Sequence, residues 1–237
     1  MPERPENGEE IKELIKLGEK NILEAEKYQK RWDVISAKYF YVKATSYFEK
    51  AGATEQVKKI KNILDKISNE FVNINLKKGK EHLELDNYGG AYLCYEGILH
   101  HYEGINDTKK VKELNKEFGE SFSDKAEKYF TQDEHLFSKD YHYVRARNCY
   151  NIASRFFEKA GLKERAKEMK EKEKNAYKRD AERYYREAKE FASKGKFVSA
   201  GFSYDSAASC YKEIGMQDKV KEMNKKSREM EQEPKKS

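Results

Sequence analysis

One pattern of apolar and polar positions recurs four times along the chain. Its first copy is WDVISAKYFYVKATSYFEKAGATEQVKKIK, and three later segments align with it without gaps. The anchor alanines of the four copies are Ala37, Ala91, Ala146 and Ala200, which are 54, 55 and 54 residues apart. A period held this closely predicts a tandem-repeat protein.

Each copy contains five apolar positions with spacings of three, four, three and four residues. In the first copy these positions are Val34, Ala37, Tyr41, Ala44 and Phe48. This spacing predicts a helix with all five side chains on one face. We call these five positions the core stripe of a repeat. The equivalent sets are Tyr88, Ala91, Tyr95, Ile98 and Tyr102; Tyr143, Ala146, Tyr150, Ala153 and Phe157; and Phe197, Ala200, Tyr204, Ala207 and Tyr211.

A residue that readily adopts a left-handed backbone ends each of these helices. These residues are Gly52, Asn106, Gly161 and Gly215. Glycine and asparagine at such positions predict helix C-caps. The next helix then begins with apolar residues five and eight positions after the cap. These are Val57, Val111, Ala166 and Val220, followed by Ile60, Leu114, Met169 and Met223.

Each repeat is therefore predicted to pair a shorter helix with a longer one. The shorter helices are expected to begin near Asp33, Asn87, Asp140 and Lys196. The longer helices are expected over Thr54–Leu85, Thr108–Lys139 and Leu162–Lys194, with a possible bend near Gly79 or Gly119.

The predicted fold is all-α, an α-solenoid of four helix-pair repeats. The three prolines lie at the ends of the chain, at Pro2, Pro5 and Pro234, which favours unbroken helices between them. We expect a single helical repeat domain over residues 9–231, with disordered ends at 1–8 and 232–237.

Composition supports a thin stack of helices more than a compact globule. Charged residues make up 39% of the chain and hydrophobic residues 37%, and the net charge is +6. Acidic and basic residues alternate, which is typical of solvated helix faces and makes a nucleic-acid partner unlikely. We find no secretory segment and no apolar run long enough to span a membrane, so we expect a cytoplasmic protein.

Few residues are candidates for chemistry. The cysteines Cys94, Cys149 and Cys210 occupy repeat positions where other copies have aromatic or small residues, so we expect buried or half-buried thiols. By the same alignment, His82 is expected on a packing face, and His100 and His135 are expected in solvent.

One stretch, QDEHLFSKDYHY, holds the residue types that bind metals. It contains Asp133, Glu134, His135, Asp140 and His142, but no histidine pair with the spacing of a helical zinc site. We therefore predict a solvated helix end, with no metal and no cofactor. No nucleophile elbow, phosphate-binding loop or catalytic carboxylate pair is recognisable, so we predict that the protein is not an enzyme.

Two further groups of side chains are candidates for binding. The cations of the last helix, Lys219, Lys221, Lys225, Lys226 and Arg228, are expected to form a solvated cap, with a weak anion contact as the alternative. The aromatic residues Trp32, Tyr39, Tyr92, Tyr184 and Tyr185 lie outside or beside the core stripe. They either pack between helices or line a groove, and sequence alone leaves the partner-binding residues unknown.

The segments FVSAGFSYDSAASCYKEIGMQDKVKEM and AKYFYVKATSYFEKAGATEQVKKIK resemble tetratricopeptide-like repeats, in the style of the soluble NSF-attachment (SNAP) proteins. The resemblance covers about 200 residues and is carried by packing residues. The period of 54 or 55 differs from the 34 residues of a standard tetratricopeptide unit. The resemblance implies a surface that binds other proteins.

The leading hypothesis is a non-catalytic scaffold or adaptor that binds a protein or peptide in a groove of the solenoid. One alternative is a helical repeat protein that binds nucleic acid. A second alternative is a structural protein that associates with itself through its terminal helices. The oligomeric state stays open.

Overall fold

The computed structural model describes residues 8–31, 33–132 and 142–232, which form nine α-helices and no strand. The helices are α1 (Gly8–Lys30), α2 (Val34–Lys50), α3 (Thr54–Glu84), α4 (Tyr88–Gly104), α5 (Thr108–Gln132), α6 (His142–Lys159), α7 (Lys163–Ser193), α8 (Phe197–Glu213) and α9 (Gln217–Gln232). The predicted all-α fold of four helix-pair repeats is confirmed.

The boundaries of the helices follow the predicted ones closely. Helices α2, α4 and α8 begin directly after Asp33, Asn87 and Lys196. The predicted helix end at Lys139 and helix start near Asp140 lie outside the described residues. The predicted disordered ends also lie outside them, except for Gly8 and Gln232, which are the first residue of α1 and the last residue of α9.

The chain divides into two compact units, Met1–Lys78 and Gly79–Ser237. In the first unit, Tyr41 and Phe48 of α2 cluster with Ile60 and Ile67 of α3. In the second unit, helices from α5 to α9 each pack on the next one along the chain, as in an α-solenoid. The single domain over residues 9–231 stays a prediction.

The second, third and fourth positions of the core stripe are buried in all four repeats, and the first position is half-buried in each. The four anchor alanines are each 0% exposed, and the tyrosine that follows each of them is also buried. A methyl side chain lets a neighbouring helix approach closely, and the aromatic rings fill the remaining space. The buried face predicted from the sequence is therefore confirmed.

The predicted C-caps are confirmed by the backbone. Asn106 has φ 58° and Gly52, Gly161 and Gly215 have φ between 70° and 79°. At each cap, the amide after the capping residue donates to the carbonyl of the last core-stripe residue, at 2.8 to 3.0 Å. This shared bond satisfies carbonyls that the end of a helix leaves unpaired. The four turns are therefore copies of one structure.

Gly79 and Gly119 make room for aromatic rings. Helices α3 and α5 run through them without a break, so the bend predicted there does not interrupt either helix. A Cβ atom at Gly79 would collide with a ring carbon of Tyr95, and one at Gly119 would lie 2.9 Å from the ring of Phe157. Both contacts are shorter than van der Waals distance, so an aromatic ring occupies the space that a side chain would need.

Candidate functional site

Large apolar side chains are exposed at matching positions of the short helices. Ile35 and Tyr39 on α2 are 80% and 60% exposed, and their equivalents Val198 and Phe202 on α8 are 63% and 70% exposed. In α4 the equivalent of Tyr39 is Leu93, which is 71% exposed. We call these five residues the outer apolar positions.

The outer apolar positions follow from helix geometry. Ile35 comes one residue after the first core-stripe position, and Tyr39 follows four residues later. Residues four apart lie one turn above each other on the same face, so each pair forms a short apolar ridge. Since monomeric proteins rarely expose such ridges repeatedly, these positions are candidates for binding a partner.

The first unit has a groove beside this ridge. The groove encloses about 640 Å³, and Ile35 of α2 lies on one side of it. Ile67, Phe71 and Ile74 of α3 line the other side, with Glu70 and Asp33 among the polar lining residues.

The second unit has a groove at the equivalent place in the last repeat, which we call the C-terminal groove. It encloses about 420 Å³ between α8 and α9. Its lining includes Phe197, Val198, Gly201, Phe202 and Asp205 of α8, with Ser227, Met230 and Glu231 of α9. Met230 is the repeat equivalent of Ile67, so the two grooves are related by the repeat.

An ion cluster around Asp86 links the end of α3 to α5 and α6. The Asp86 carboxylate lies 2.9 Å from Lys125 Nζ and 2.8 Å from Arg145 Nη1, and it accepts a hydrogen bond from the Tyr129 hydroxyl. Burial alone would raise the pKa of Asp86, but the hydrogen bonds from Tyr129 and Lys125 and the two positive charges lower that pKa overall. These contacts connect the turn after α3 to α5 and α6.

A second ion cluster links α6, α7 and α8. Asp180 of α7 is buried and accepts hydrogen bonds from Arg183 at 2.7 Å and from Arg147 at 3.4 Å. The Cys210 thiol also points at this carboxylate, with Sγ 3.7 Å from Oδ2. Asp180 is the repeat equivalent of Lys125, so both clusters occupy the same place between consecutive repeats.

The three cysteines lie where the repeat alignment places them. Cys149 and Cys210 are buried and Cys94 is half-buried, as predicted. Burial raises the pKa of the Cys149 thiol to about 12 and that of Cys210 to about 11. Both thiols are therefore protonated at neutral pH and are poor nucleophiles.

His82 and His100 match their predictions, whereas His142, predicted at a solvated helix end, is half-buried. His82 is half-buried, with Nδ1 3.2 Å from the Asn87 side-chain amide, and the His100 side chain is 89% exposed. Of the candidate metal ligands, His142 stacks on Tyr129, while Asp133, Glu134, His135 and Asp140 lie outside the described residues. Among the residues that the structure describes, no three His, Cys, Asp or Glu side chains are placed to hold a metal ion.

The candidate aromatic residues separate into packing residues and one exposed residue. Tyr92 packs on Phe156, Tyr184 lies 4.1 Å from the Arg183 guanidinium, and Tyr185 packs beside Tyr204. Tyr39 is the exposed member of the set, and Trp32 lies outside the described residues.

The cations of α9 are mostly paired along the helix. Lys219 and Lys226 approach Glu222 at 2.9 and 4.0 Å, and Lys225 approaches Glu229 at 3.9 Å. These i,i+3 and i,i+4 pairs agree with the prediction of a solvated cap.

Sequence reasoning singled out Tyr39 but missed Ile35, Leu93, Val198 and Phe202. The alignment that found the core stripe contains the missing signal. One of its columns holds Ile, Gly, Val and Val, and another holds Tyr, Leu, Asn and Phe. Once the buried face is known, apolar residues that recur outside the core stripe indicate an exposed ridge that is repeated along the chain.

No family model matches the chain, and no curated protein matches it. A search of solved structures found a chain described as "Circular tandem repeat protein with novel repeat topology and enhanced subunit contact surfaces". The similarity has a TM-score of 0.29 at 13% identity and covers 93% of this chain. This chain spans 50% of the length of that structure. Separately, within the described residues no helix is both long enough and apolar enough to cross a membrane.

Proposed function

We propose that the protein is a non-catalytic scaffold or adaptor that binds a protein or peptide partner. The observation that supports this proposal is the recurrence of large exposed apolar residues at matching positions of α2, α4 and α8. Burying one such side chain against a partner contributes about 1.5–3 kcal/mol. The two such residues on one helix, as in α2 or α8, would therefore anchor a partner without any catalytic group.

The resemblance to tetratricopeptide-like and SNAP-type repeats favours the same function. Such repeats imply a surface for protein partners, and the proposal includes a cytoplasmic location but no role in membrane fusion. The apolar character of the ridges favours a protein over a nucleic acid, because nucleic-acid affinity depends mainly on cationic contacts to phosphates.

The test is a quantitative affinity purification with the full chain as bait, from an extract of the source organism. The variant carries Ile35→Ser, Tyr39→Ser, Val198→Ser and Phe202→Ser. We expect proteins retained by the wild type to be depleted at least about tenfold, since several anchors are lost together.

The matched control carries Lys50→Ser and Lys212→Ser, which are exposed residues of the same two helices outside the ridges. It should retain the same proteins as the wild type, and all three chains should give the same helical circular dichroism. The proposal would be contradicted if the wild type and the fourfold serine variant, the ridge variant, retained the same proteins equally. It would also be contradicted if the wild-type chain catalysed a reaction.

A further inference from the structure

We propose that the C-terminal groove binds a basic amphipathic helix of a partner protein. The partner helix would occupy the place that the short helix of a following repeat occupies on the repeats before it. This inference rests on the proposed function and specifies the partner for one end of the molecule. It is argued from the packing between repeats within the second unit.

The second repeat shows how a following helix is seated. Phe156 of α6 packs against Tyr92 of α4 and against Phe118 and Phe122 of α5, with ring centroids 5.4 to 5.8 Å apart. Three residues after Phe156, Lys159 forms an ion pair with Glu96 of α4 at 2.6 Å. One apolar residue and one cation of α6 therefore contact the repeat before it.

The third repeat presents the same face to α8. Arg147 is the repeat equivalent of Tyr92, and its guanidinium contacts Cys210, the equivalent of Phe156. Tyr177, the equivalent of Phe122, packs against the cluster that contains Cys210. The same positions are therefore used twice to seat the next short helix.

In the last repeat these positions line the C-terminal groove. Gly201 is the equivalent of Tyr92 and Arg147, and Glu231 is the equivalent of Phe122 and Tyr177. Phe202 and Val198, which are 70% and 63% exposed, extend the apolar surface at the groove edge.

Charge identifies the kind of helix that fits. Asp205 in the groove is the repeat equivalent of Glu96, the residue that receives Lys159. Glu231 adds a second acidic group where the second and third repeats have aromatic rings. A partner helix that presents a large apolar residue and, three residues later, a lysine or arginine would match both the apolar surface and Asp205.

The test uses a fluorescein-labelled peptide of residues 142–160, HYVRARNCYNIASRFFEKA with Cys149→Ser, because this helix already uses the required contacts inside the protein. Fluorescence anisotropy measures its binding to the full chain. We expect saturable binding to the wild type, with affinity lowered about tenfold by Phe202→Ser and by Asp205→Lys. The peptide with Lys159→Glu should bind the Asp205→Lys chain within about threefold of the original pair, since this exchange restores the charge pair.

Leu93→Ser is the matched control, since Leu93 is as exposed as Phe202. In the repeat that contains Leu93, α6 occupies the place that corresponds to the C-terminal groove. The Leu93→Ser chain should bind the peptide like the wild type. Absence of saturable binding up to about 1 mM would overturn the inference, as would affinity unchanged by Phe202→Ser and Asp205→Lys, or failure of the charge exchange to restore binding.

Sedimentation of the wild-type chain tests the competing occupant, a second copy of the protein. A dimer that Phe202→Ser dissociates would also overturn the partner-helix inference. The two proposals fail separately. If the peptide does not bind but the wild type retains proteins that the ridge variant loses, only this inference is contradicted. If the ridge variant retains the same proteins as the wild type, the proposed function is contradicted.

Discussion

Asp86 combines an unfavourable backbone with favourable side-chain contacts. Its φ of 59° lies in the left-handed region, and its repeat equivalent, Gly195, has a φ of 68°. Aspartate tolerates this region less well than glycine, at a cost of about 1 kcal/mol. The ion pairs to Lys125 and Arg145 offset that cost and explain why a carboxylate is present where a later repeat uses glycine.

Replacing Asp86 by asparagine should therefore destabilise the second unit. Asparagine also tolerates a positive φ, so the substitution removes the negative charge and its ion pairs with little new backbone strain. We expect a loss of about 1–2 kcal/mol in the free energy of unfolding at pH 7, measured by urea denaturation.

The pH dependence of this loss has a definite sign. Because the folded pKa of Asp86 lies below its ordinary value, the ionised carboxylate stabilises the folded state. The difference in the free energy of unfolding between the wild type and Asp86→Asn should be constant above the unfolded pKa of about 3.9. It should shrink as the pH falls below that value and through the folded pKa of Asp86. A difference that grew on acidification would contradict this account.

At the scale of elements, the helix pair is the unit that recurs. Its short helix buries alanines and tyrosines on one face, and its cap at Gly52, Asn106, Gly161 or Gly215 sets the turn into the next helix. In three of the four repeats the short helix also exposes apolar residues on a second face, which helix propensity does not explain. Burial thus accounts for one face, and the proposed binding accounts for the other.

The packing of the alanine face can be tested in α6. Ala146→Leu should overpack a helix contact, because Ala146 is 0% exposed, and should cost about 1–3 kcal/mol. Asn148→Leu, an exposed position two residues further along the same helix, should change stability by less than about 0.5 kcal/mol. Thermal melting by circular dichroism distinguishes them, and equal melting temperatures for both variants would mean that the buried face is misassigned.

At the scale of the whole molecule, each of the two units contains a cluster of buried residues of its own. The cluster around Phe48 contains residues only from the first unit, and the cluster around Tyr204 and Met223 contains residues only from the second. Repeat proteins are stabilised mainly by contacts within a repeat and with its neighbours. Each core should therefore respond mainly to changes in its own unit.

Phe48→Ala tests this separation. Removing a ring that is 1% exposed should cost about 3–5 kcal/mol locally. Hydrogen exchange read by mass spectrometry should become faster in α1 and α2 and stay close to wild type in α8 and α9. Met223→Ala is the reciprocal control and should speed exchange in α8 and α9, whereas a uniform increase for both variants would indicate one cooperative core.

The sequence by itself determined the repeat, the helix type, the caps and the buried face. These features depend on local geometry, since a 3,4 spacing defines a helix face and Gly161 or Asn106 favours a left-handed turn wherever the chain continues. The internal alignment also predicted that Cys149 is buried or half-buried and that His100 is exposed, because equivalent positions share an environment.

The tertiary structure decided which residues outside the core stripe are exposed and which ones meet. The ion pairs of Asp86 with Lys125 and Arg145 join residues 39 and 59 positions apart, and no local pattern marks them. Tyr39 and Tyr92 were both candidates for binding in the sequence, yet Tyr92 packs on Phe156 and Tyr39 stays exposed. The physical reason is that exposure depends on what the neighbouring helices cover, which periodicity along one helix does not specify.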